Sequence, residues 1–384
     1  MIKKIILLIS GLFIMMGFIM NAQTSPTVAL SAPQVDAEDF AEEIFVDIQT
    51  PNVSTTVGTV VIFTLRIEFD PNILEYETYI DMPAAITTNL SSVNSPAPGV
   101  LQFNVLGPFG GSSFGFEYPD GLFCKLKFTY LGGESSLNID NVEFLGSNGE
   151  FTVVGNTVNR TDAEVSAFST ITNDGGSWET LGDWTGEFGS LTAPGPGHNV
   201  TIASGGEVTL GANSRVNSVT VESGGKLTQT TGSLTTTGDF LIKEGGSFIQ
   251  QGTVTGTAKM EKTFIDDKWH MVASPIDDQT ISTAFTSSTA ANYSIYRYDE
   301  PTNTWINSQV TGAFTSFSPG NGYLVGYKND AAGLRTFSGS FNASDVMVPV
   351  THSSSALEVI RGFNLIGNPY PASLKWNRTQ WGGS

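Results

Sequence analysis

Between Val200 and Gln250 one phrase recurs three times: a short run of β-formers, Gly-Gly, then a second β run. It reads Val200-Thr-Ile-Ala-Ser-Gly205-Gly206-Glu-Val-Thr-Leu210, then Val219-Thr-Val-Glu-Ser-Gly224-Gly225-Lys-Leu-Thr-Gln229, then Phe240-Leu-Ile-Lys-Glu-Gly245-Gly246-Ser-Phe-Ile-Gln250. The glycine pairs follow at 19 and 21 residues, from 205 to 224 to 245. A repeat this short buries its apolar side chains only by stacking on the next copy, as one coil of a β-solenoid does. Gly-Gly supplies positive φ at a corner, and the flanking Val, Ile, Leu and Phe stack between rungs. Val200, Val219 and Phe240, and likewise Ile202, Val221 and Ile242, are therefore expected in line, about 4.8 Å apart in the hydrogen-bonding direction. A calcium-binding solenoid would carry Asp at fixed repeat positions. Glu207, Glu222 and Lys243-Glu244 share no such position, so the repeat reads as scaffold.

The rest of the composition agrees with β structure. Gly is abundant at 42 residues, and helical periodicity is almost absent, which predicts an all-β chain. Residues 1–22 read as a secretory signal peptide: basic Lys3-Lys4, an apolar stretch from Ile5 to Met20, and small Ala22 before the cleavage point. The apolar stretch is short for a membrane span, no later segment is long and apolar enough for one, and no Cys near the cleavage point suggests a lipid anchor. An extracellular or outer-surface location is expected. Without Lys3 and Lys4 the chain carries 16 basic and 37 acidic side chains, a net of −21. Residues 23–160 hold 17 acidic and 4 basic ones, a net of −13. Such a surface disfavours nucleic acid and anionic lipid as partners. The lone cysteine, Cys124, permits no internal disulfide and lies in the alternating run Cys124-Lys-Leu126-Lys-Phe128, which points it to a core.

A mature length of roughly 360 residues predicts two or three domains. The first module spans 27–160. In Phe63-Thr-Leu65-Arg-Ile67-Glu-Phe69-Asp70, alternate residues are apolar, the mark of a strand with one face on a core. Further strands are expected around Phe114-Phe116-Tyr118, Leu126-Phe128-Tyr130, Leu137-Ile139 and Phe151-Val153. Pro119-Asp120-Gly121, Gly132-Gly133 and Asn148-Gly149 serve as turns between them, and the set reads as a β-sandwich. The run from Phe63 through Asp70-Pro71-Asn72-Ile-Leu74-Glu-Tyr76 resembles the cohesin pattern, a long strand closed by aromatic-Asp-Pro and an aliphatic pair. Asp120-Gly-Leu122-Phe-Cys-Lys-Leu126-Lys-Phe128 and the stretch from Leu137 to Asn159 resemble later strands of that family. The resemblance covers the whole module and implies a non-catalytic jelly roll that binds a dockerin-bearing protein. It matches no dockerin-facing residue, so no ligand-binding position is assigned.

The second module spans 163–258. It opens with Gly175-Gly176-Ser-Trp178 and Trp184, continues through a Pro-Gly linker at Ala193–Gly197, and holds the repeats. The third spans 259–384 and echoes itself: Trp269-His-Met271-Val-Ala273-Ser-Pro275-Ile276 corresponds to Phe363-Asn-Leu365-Ile-Gly367-Asn-Pro369-Tyr370. A cis bond is conceivable at Tyr370-Pro371. The module resembles the β module that precedes the sorting domain of type IX secretion cargo. That sorting domain does not follow, and the chain stops at Ser384 in what reads as mid-module, as in a truncated product.

No catalytic constellation is evident. Asp266-Asp267, Asp277-Asp278 and Asp299-Glu300 lie in turn-like sequence, where neighbouring acids do not converge. His198, His270 and His352 lack metal-ligand spacing. No nucleophile elbow or phosphate loop is present, and no cofactor is implied. Trp178, Trp184, Trp305, Trp376 and Trp381 read as packing residues first and sugar-stacking platforms second. The sequence therefore predicts a jelly-roll sandwich, a Gly-rich solenoid and a C-terminal β module, acting as a secreted, non-enzymatic binder of a dockerin-type protein or a polysaccharide in extracellular polysaccharide use. The rival readings are a structural surface protein or adhesin with no dedicated ligand, and the remnant of a truncated hydrolase.

Overall fold

The computed structural model describes residues 25–108, 115–152, 158–282, 284–354 and 358–375. Residues 1–22, read above as a signal peptide, and Phe114, Val153, Trp376 and Trp381 lie outside the described residues. The chain is nearly all β, arranged around two apolar cores.

The first core lies between two sheets. One has the order Asn159–Thr161, Thr27–Ser31, Glu42–Thr50, Gly121–Tyr130 and Leu74–Ile80. The other runs Gly149–Thr152, Gly133–Gly146, Thr59–Glu68, Val100–Leu106 and Leu90–Asn94. Alternation places Phe63, Leu65 and Ile67 inward from one sheet and Cys124, Leu126 and Phe128 inward from the other, all buried. Phe69 is only partly buried, because there the chain leaves one sheet for the other. Asp70 organises that crossing: its carboxylate accepts the Asn72 N–H at 2.8 Å, and its carbonyl accepts N–H groups from Ile73 and Leu74. An Asx turn is the local reason for Asp-Pro-Asn at this point. The strand Ala163–Ala167 pairs with Gly133–Gly146 of the same sandwich.

The second core begins at Ile171, and the expected stacking is present. Val200 pairs in parallel with Val219, and Val219 with Phe240; Ile202, Val221 and Ile242 form the adjoining column. A second stack joins Val208, Leu227 and Phe248. The two glycines of each pair have different jobs. Gly205, Gly224 and Gly245 have φ near +80 to +90°, whereas Gly206, Gly225 and Gly246 face the backbone of the preceding turn. A further rung lies upstream. Ile171 and Asn173 pair in parallel with Val200 and Ile202, and Gly176 pairs with Val208, so Gly175-Gly176 belongs to a preceding rung but lies opposite Glu207-Val208, after a shorter corner than that of Gly205-Gly206. The inserted segment Trp178–Gly197 separates that pair from Gly205 by 30 residues and hides the period.

Charged side chains on neighbouring rungs pair with one another. Lys226 meets Glu207 at 3.4 Å, Lys243 meets Glu222 at 2.8 Å, Lys259 meets Asp239 at 2.6 Å, and Lys262 pairs with Glu244. Both ends of the stack are closed. Trp178 and Trp184 meet edge to face at 5.3 Å over the first rungs. At the far end Thr253–Phe264 pairs in parallel with the last rung on one side and antiparallel with Gly333–Gly339 on the other. That switch of direction ends the repeat and carries the core on to Phe341. A solenoid with open ends would expose apolar side chains and unpaired strand edges.

The Ala193–Gly197 segment is a packed joint, not a free linker, with Pro194, Gly195 and Gly197 buried. Phe40 of the sandwich sits edge-on to His198 at 5.2 Å, and Arg215 reaches Asp70 at 3.5 Å. Leu191 packs against both cores.

Candidate functional site

The two outer faces of the sandwich differ in chemistry. On the Glu42–Thr50, Gly121–Tyr130 and Leu74–Ile80 sheet, charge pairs with charge. Lys127 lies between Glu43 and Glu77, 2.9 Å from the latter, and Lys125 is 3.6 Å from Asp81. The opposite sheet carries mainly amides and hydroxyls. Cross-strand register aligns Glu143, Thr64, Asn104 and Ser92 in one row and Asn141, Arg66, Gln102 and Asn94 in the next. These side chains fix one another. Asn104 donates to Ser92 Oγ at 2.9 Å, and Gln102 donates to Asn104 Oδ1 at 3.2 Å. Arg66 is held at 3.0 Å from both Glu68 and Asp140. One end is apolar, where Ile62 aligns with Leu106 and Leu145. The result is a pre-ordered, flat, polar surface with a small apolar margin.

The acid pairs brace turns. Asp266 accepts the Asn329 N–H at 2.8 Å, Asp267 pairs with Lys328 at 3.4 Å, and Asp278 accepts the Ser316 hydroxyl at 2.7 Å. Asp299 accepts from Thr302. Glu300 receives N–H groups from Ser353 and Gly362 at 3.0 and 2.9 Å. Those backbone donors stabilise the carboxylate and lower its pKa to about 2. Among the described residues no group of three or more His, Cys, Asp and Glu is placed to hold a metal, and no helix is long and apolar enough to cross a membrane. Cys124 is buried, and burial pushes its thiol well above the ordinary value.

The histidines remain apart. His198 is enclosed at the joint, where Nδ1 accepts the Gly195 N–H at 2.8 Å and Nε2 lies 3.1 Å from the Glu187 carbonyl. Burial lowers its pKa. His270 accepts the Ile265 N–H and packs on Phe264. Trp178 and Trp184 are buried, each with its indole N–H donated, so neither is a sugar platform. Trp305 is exposed, and so is Trp269, which the sequence reading did not single out for stacking.

The echo within the last module has a structural counterpart. Ser274 Oγ accepts the Ile276 N–H and Asn368 Oδ1 accepts the Tyr370 N–H, both at 3.1 Å, so each copy ends in the same turn around its proline. The side-chain amide of Asn342 donates to the carbonyls of Ser274 and Pro369, linking the copies. Their backbones otherwise differ. The first copy contains the strand Lys268–Val272, whereas the second makes one bridge at Ile366. The Tyr370–Pro371 bond is trans, as are all described peptide bonds.

A family model described as "Domain of unknown function (DUF8693)" matches residues 171–379. The chain belongs to this family. The DUF8693 match starts at Ile171, the first residue of the second core, and covers the solenoid and the C-terminal module. No curated protein matches the sequence. Solved structures that it is similar to include cohesin modules. The sixth cohesin of scaffoldin B from Acetivibrio cellulolyticus, solved with a Cel5 dockerin, is 17% identical over 38% of this chain and 99% of that one, with a TM-score of 0.29. The seventh ScaB type I cohesin from Pseudobacteroides cellulosolvens is 20% identical over 37% and 92%, also at 0.29. A cohesin module of a Clostridium perfringens family 33 glycoside hydrolase is 10% identical over 37% and 99%, at 0.27.

Proposed function

We propose that this is an exported, non-catalytic binding protein whose N-terminal sandwich recognises a dockerin-type protein in the setting of extracellular polysaccharide use. The observation that carries the reading is the amide and hydroxyl face around Thr64, Arg66, Gln102 and Asn104. Its side chains are already ordered by one another, so a partner meets a surface that loses little conformational freedom on binding. The cohesin-like run from Phe63 to Tyr76 supports the choice of partner, and the Lys3-Lys4 leader supports export. A route through type IX secretion rests on the resemblance of the last module. The module's net charge of −13 favours a basic or calcium-loaded partner surface, so binding weakens as salt rises.

The test is calorimetric titration of the full mature chain with calcium-loaded dockerin modules from the same secretome. Asn104→Arg places bulk and charge on the exposed face without touching the core. It should lower affinity at least tenfold while leaving the melting temperature unchanged. Binding that is indifferent to Asn104→Arg, or binding of no dockerin module at all, refutes the reading.

A further inference from the structure

We infer that the DUF8693 region carries a binding platform for a neutral polysaccharide, on the outer face of the sheet ordered Lys268–Val272, Tyr323–Tyr327, Tyr293–Asp299 and Thr304–Asn307. The inner face of this sheet contributes Ile295, Tyr323, Val325 and Tyr327 to the core. Strict alternation then turns Trp269, Met271, Leu324, Tyr296, Tyr298 and Trp305 outward. Trp269 is 58% exposed and Trp305 46%, unusual values for the residue type with most to gain from burial.

The aromatic side chains form a diagonal. Trp269 and Tyr296 have ring centroids 5.8 Å apart, and Tyr298 and Trp305 5.3 Å apart. Trp269 aligns with Gly326 and Ser294, while Trp305 aligns with Tyr298, four residues further along the same strand and at the opposite edge of the sheet. At ~4.8 Å per strand and ~3.3 Å per residue the diagonal extends roughly 20 Å, long enough for several sugar rings.

Gly326 explains how Trp269 is presented. A Cβ at this position would stand 2.9 Å from the indole ring, so the absence of a side chain lets the ring lie down over the strand with one face outward. A flat, outward indole face matches the C–H face of a pyranose. Beside it opens a recess of about 150 Å³ lined by Asp267, Lys268, Asn292, Ser294 and Lys328, which offers hydrogen-bonding groups to hydroxyls.

Charge decides the class of occupant. The chain's net charge is −19, yet the six outward residues of the diagonal include no acid and no base. At the recess, Asp267 and Lys328 pair with each other. An uncharged partner with apolar faces and many hydroxyls fits this surface. Lys268 is the one further charge at the recess, so a partner selected by charge has a single cation to engage there.

The test is native affinity electrophoresis of the full mature chain through gels containing barley β-glucan, xyloglucan, glucomannan, arabinoxylan or laminarin. Retardation is expected in at least one gel. Trp269→Ala and Trp305→Ala should each weaken it at least tenfold, and Trp269→Tyr should retain part of it. Both tryptophans are exposed, so unchanged melting verifies folding, and Trp305→Ala stands as the second variant should Trp269→Ala fail to fold. Asn104→Arg in the sandwich should leave glycan retardation intact, which separates this proposal from the protein-binding one. Absence of retardation in every gel overturns the inference, and so does retardation that survives the double variant Trp269→Ala/Trp305→Ala.

Discussion

The paired glycines of the solenoid allow conformation and space to be separated within one corner. Gly224 has φ of +81°, and a Cβ there would meet only Ser204 Oγ and the Gly205 nitrogen, at 3.4 and 3.5 Å. Alanine at 224 fits but must hold a left-handed backbone, at a cost of about 1–2 kcal/mol. The stiffer unfolded chain offsets that by ~0.4–1 kcal/mol, leaving a loss of about 1 kcal/mol. Gly225 has an ordinary φ, but its Cβ would sit 2.8 Å from the Ala203 carbonyl oxygen and 3.1 Å from those of Glu222 and Ile202. All three are backbone atoms. Relief requires the rungs to part, which stretches the Lys226 N–H to Gly206 and Ser247 N–H to Gly225 hydrogen bonds, now 2.8 and 3.0 Å. A net loss of about 2 kcal/mol is expected for Gly225→Ala, within the usual overpacking range. Asparagine tolerates the left-handed region, so Gly224→Asn should be milder than Gly224→Ala, while Gly225→Asn should be worse than Gly225→Ala. All six tryptophans lie beyond residue 177, so intrinsic fluorescence follows the second core and not the sandwich. At ~2–4 °C per kcal/mol, the midpoint should fall by ~2–4 °C for Gly224→Ala and by roughly twice that for Gly225→Ala. A smaller shift for Gly225→Ala than for Gly224→Ala, or equal shifts for the two asparagine variants, refutes this division of roles.

Leu65→Ala should destabilise the sandwich by about 2–5 kcal/mol in denaturant unfolding, because Leu65 is fully buried. Arg66→Ala should cost no more than about 1 kcal/mol, since its ion pairs are 38–43% exposed. For the joint, His198 is held neutral by burial, with Nδ1 accepting a backbone N–H. Its folded pKa lies below the unfolded value, so its contribution is complete above about pH 6.5 and is lost as pH falls through the folded pKa. Thermal melts across that window should show a decline that His198→Gln reduces, and an equal decline in both proteins would remove His198 from the account.

Legibility followed the range of the interaction. The Gly-Gly corners, the alternation of Phe63–Ile67 and the inward aim of Cys124 are local consequences of backbone geometry, and the sequence displays them directly. The Gly175-Gly176 rung was obscured because the inserted segment before Val200 lengthens one coil. The rung-to-rung ion pairs escaped notice for a similar reason. They join residues 18 to 21 apart, three of the four at equivalent places in successive rungs, as Glu207 and Lys226 are after their glycine pairs, and with the spacing varying from rung to rung it is the stacked register that makes the match visible. Pro194-Gly195-Pro196-Gly197 has linker composition but sits where two cores meet, and composition does not report burial. Trp178 and Trp305 are indistinguishable as letters. The fold buries one under an end cap and leaves the other on an open sheet.

These features make the chain a stiff object that holds the two proposed binding faces at separate places. The sandwich is fixed to the solenoid by Phe40 against His198, by Arg215 to Asp70, and by Leu191 shared between the cores. The solenoid is continuous with the sheet that leads into the C-terminal module, because Thr253–Phe264 serves both. The amide face and the aromatic diagonal are therefore joined by packed structure, with no Gly/Ser-rich tether between them. A flexible tether would let two weak sites search for their ligands independently, whereas a rigid spacer favours ligands that are themselves held at a matching separation. This follows from the paired glycines: stacking rungs at a fixed rise sets a distance that a disordered linker cannot set.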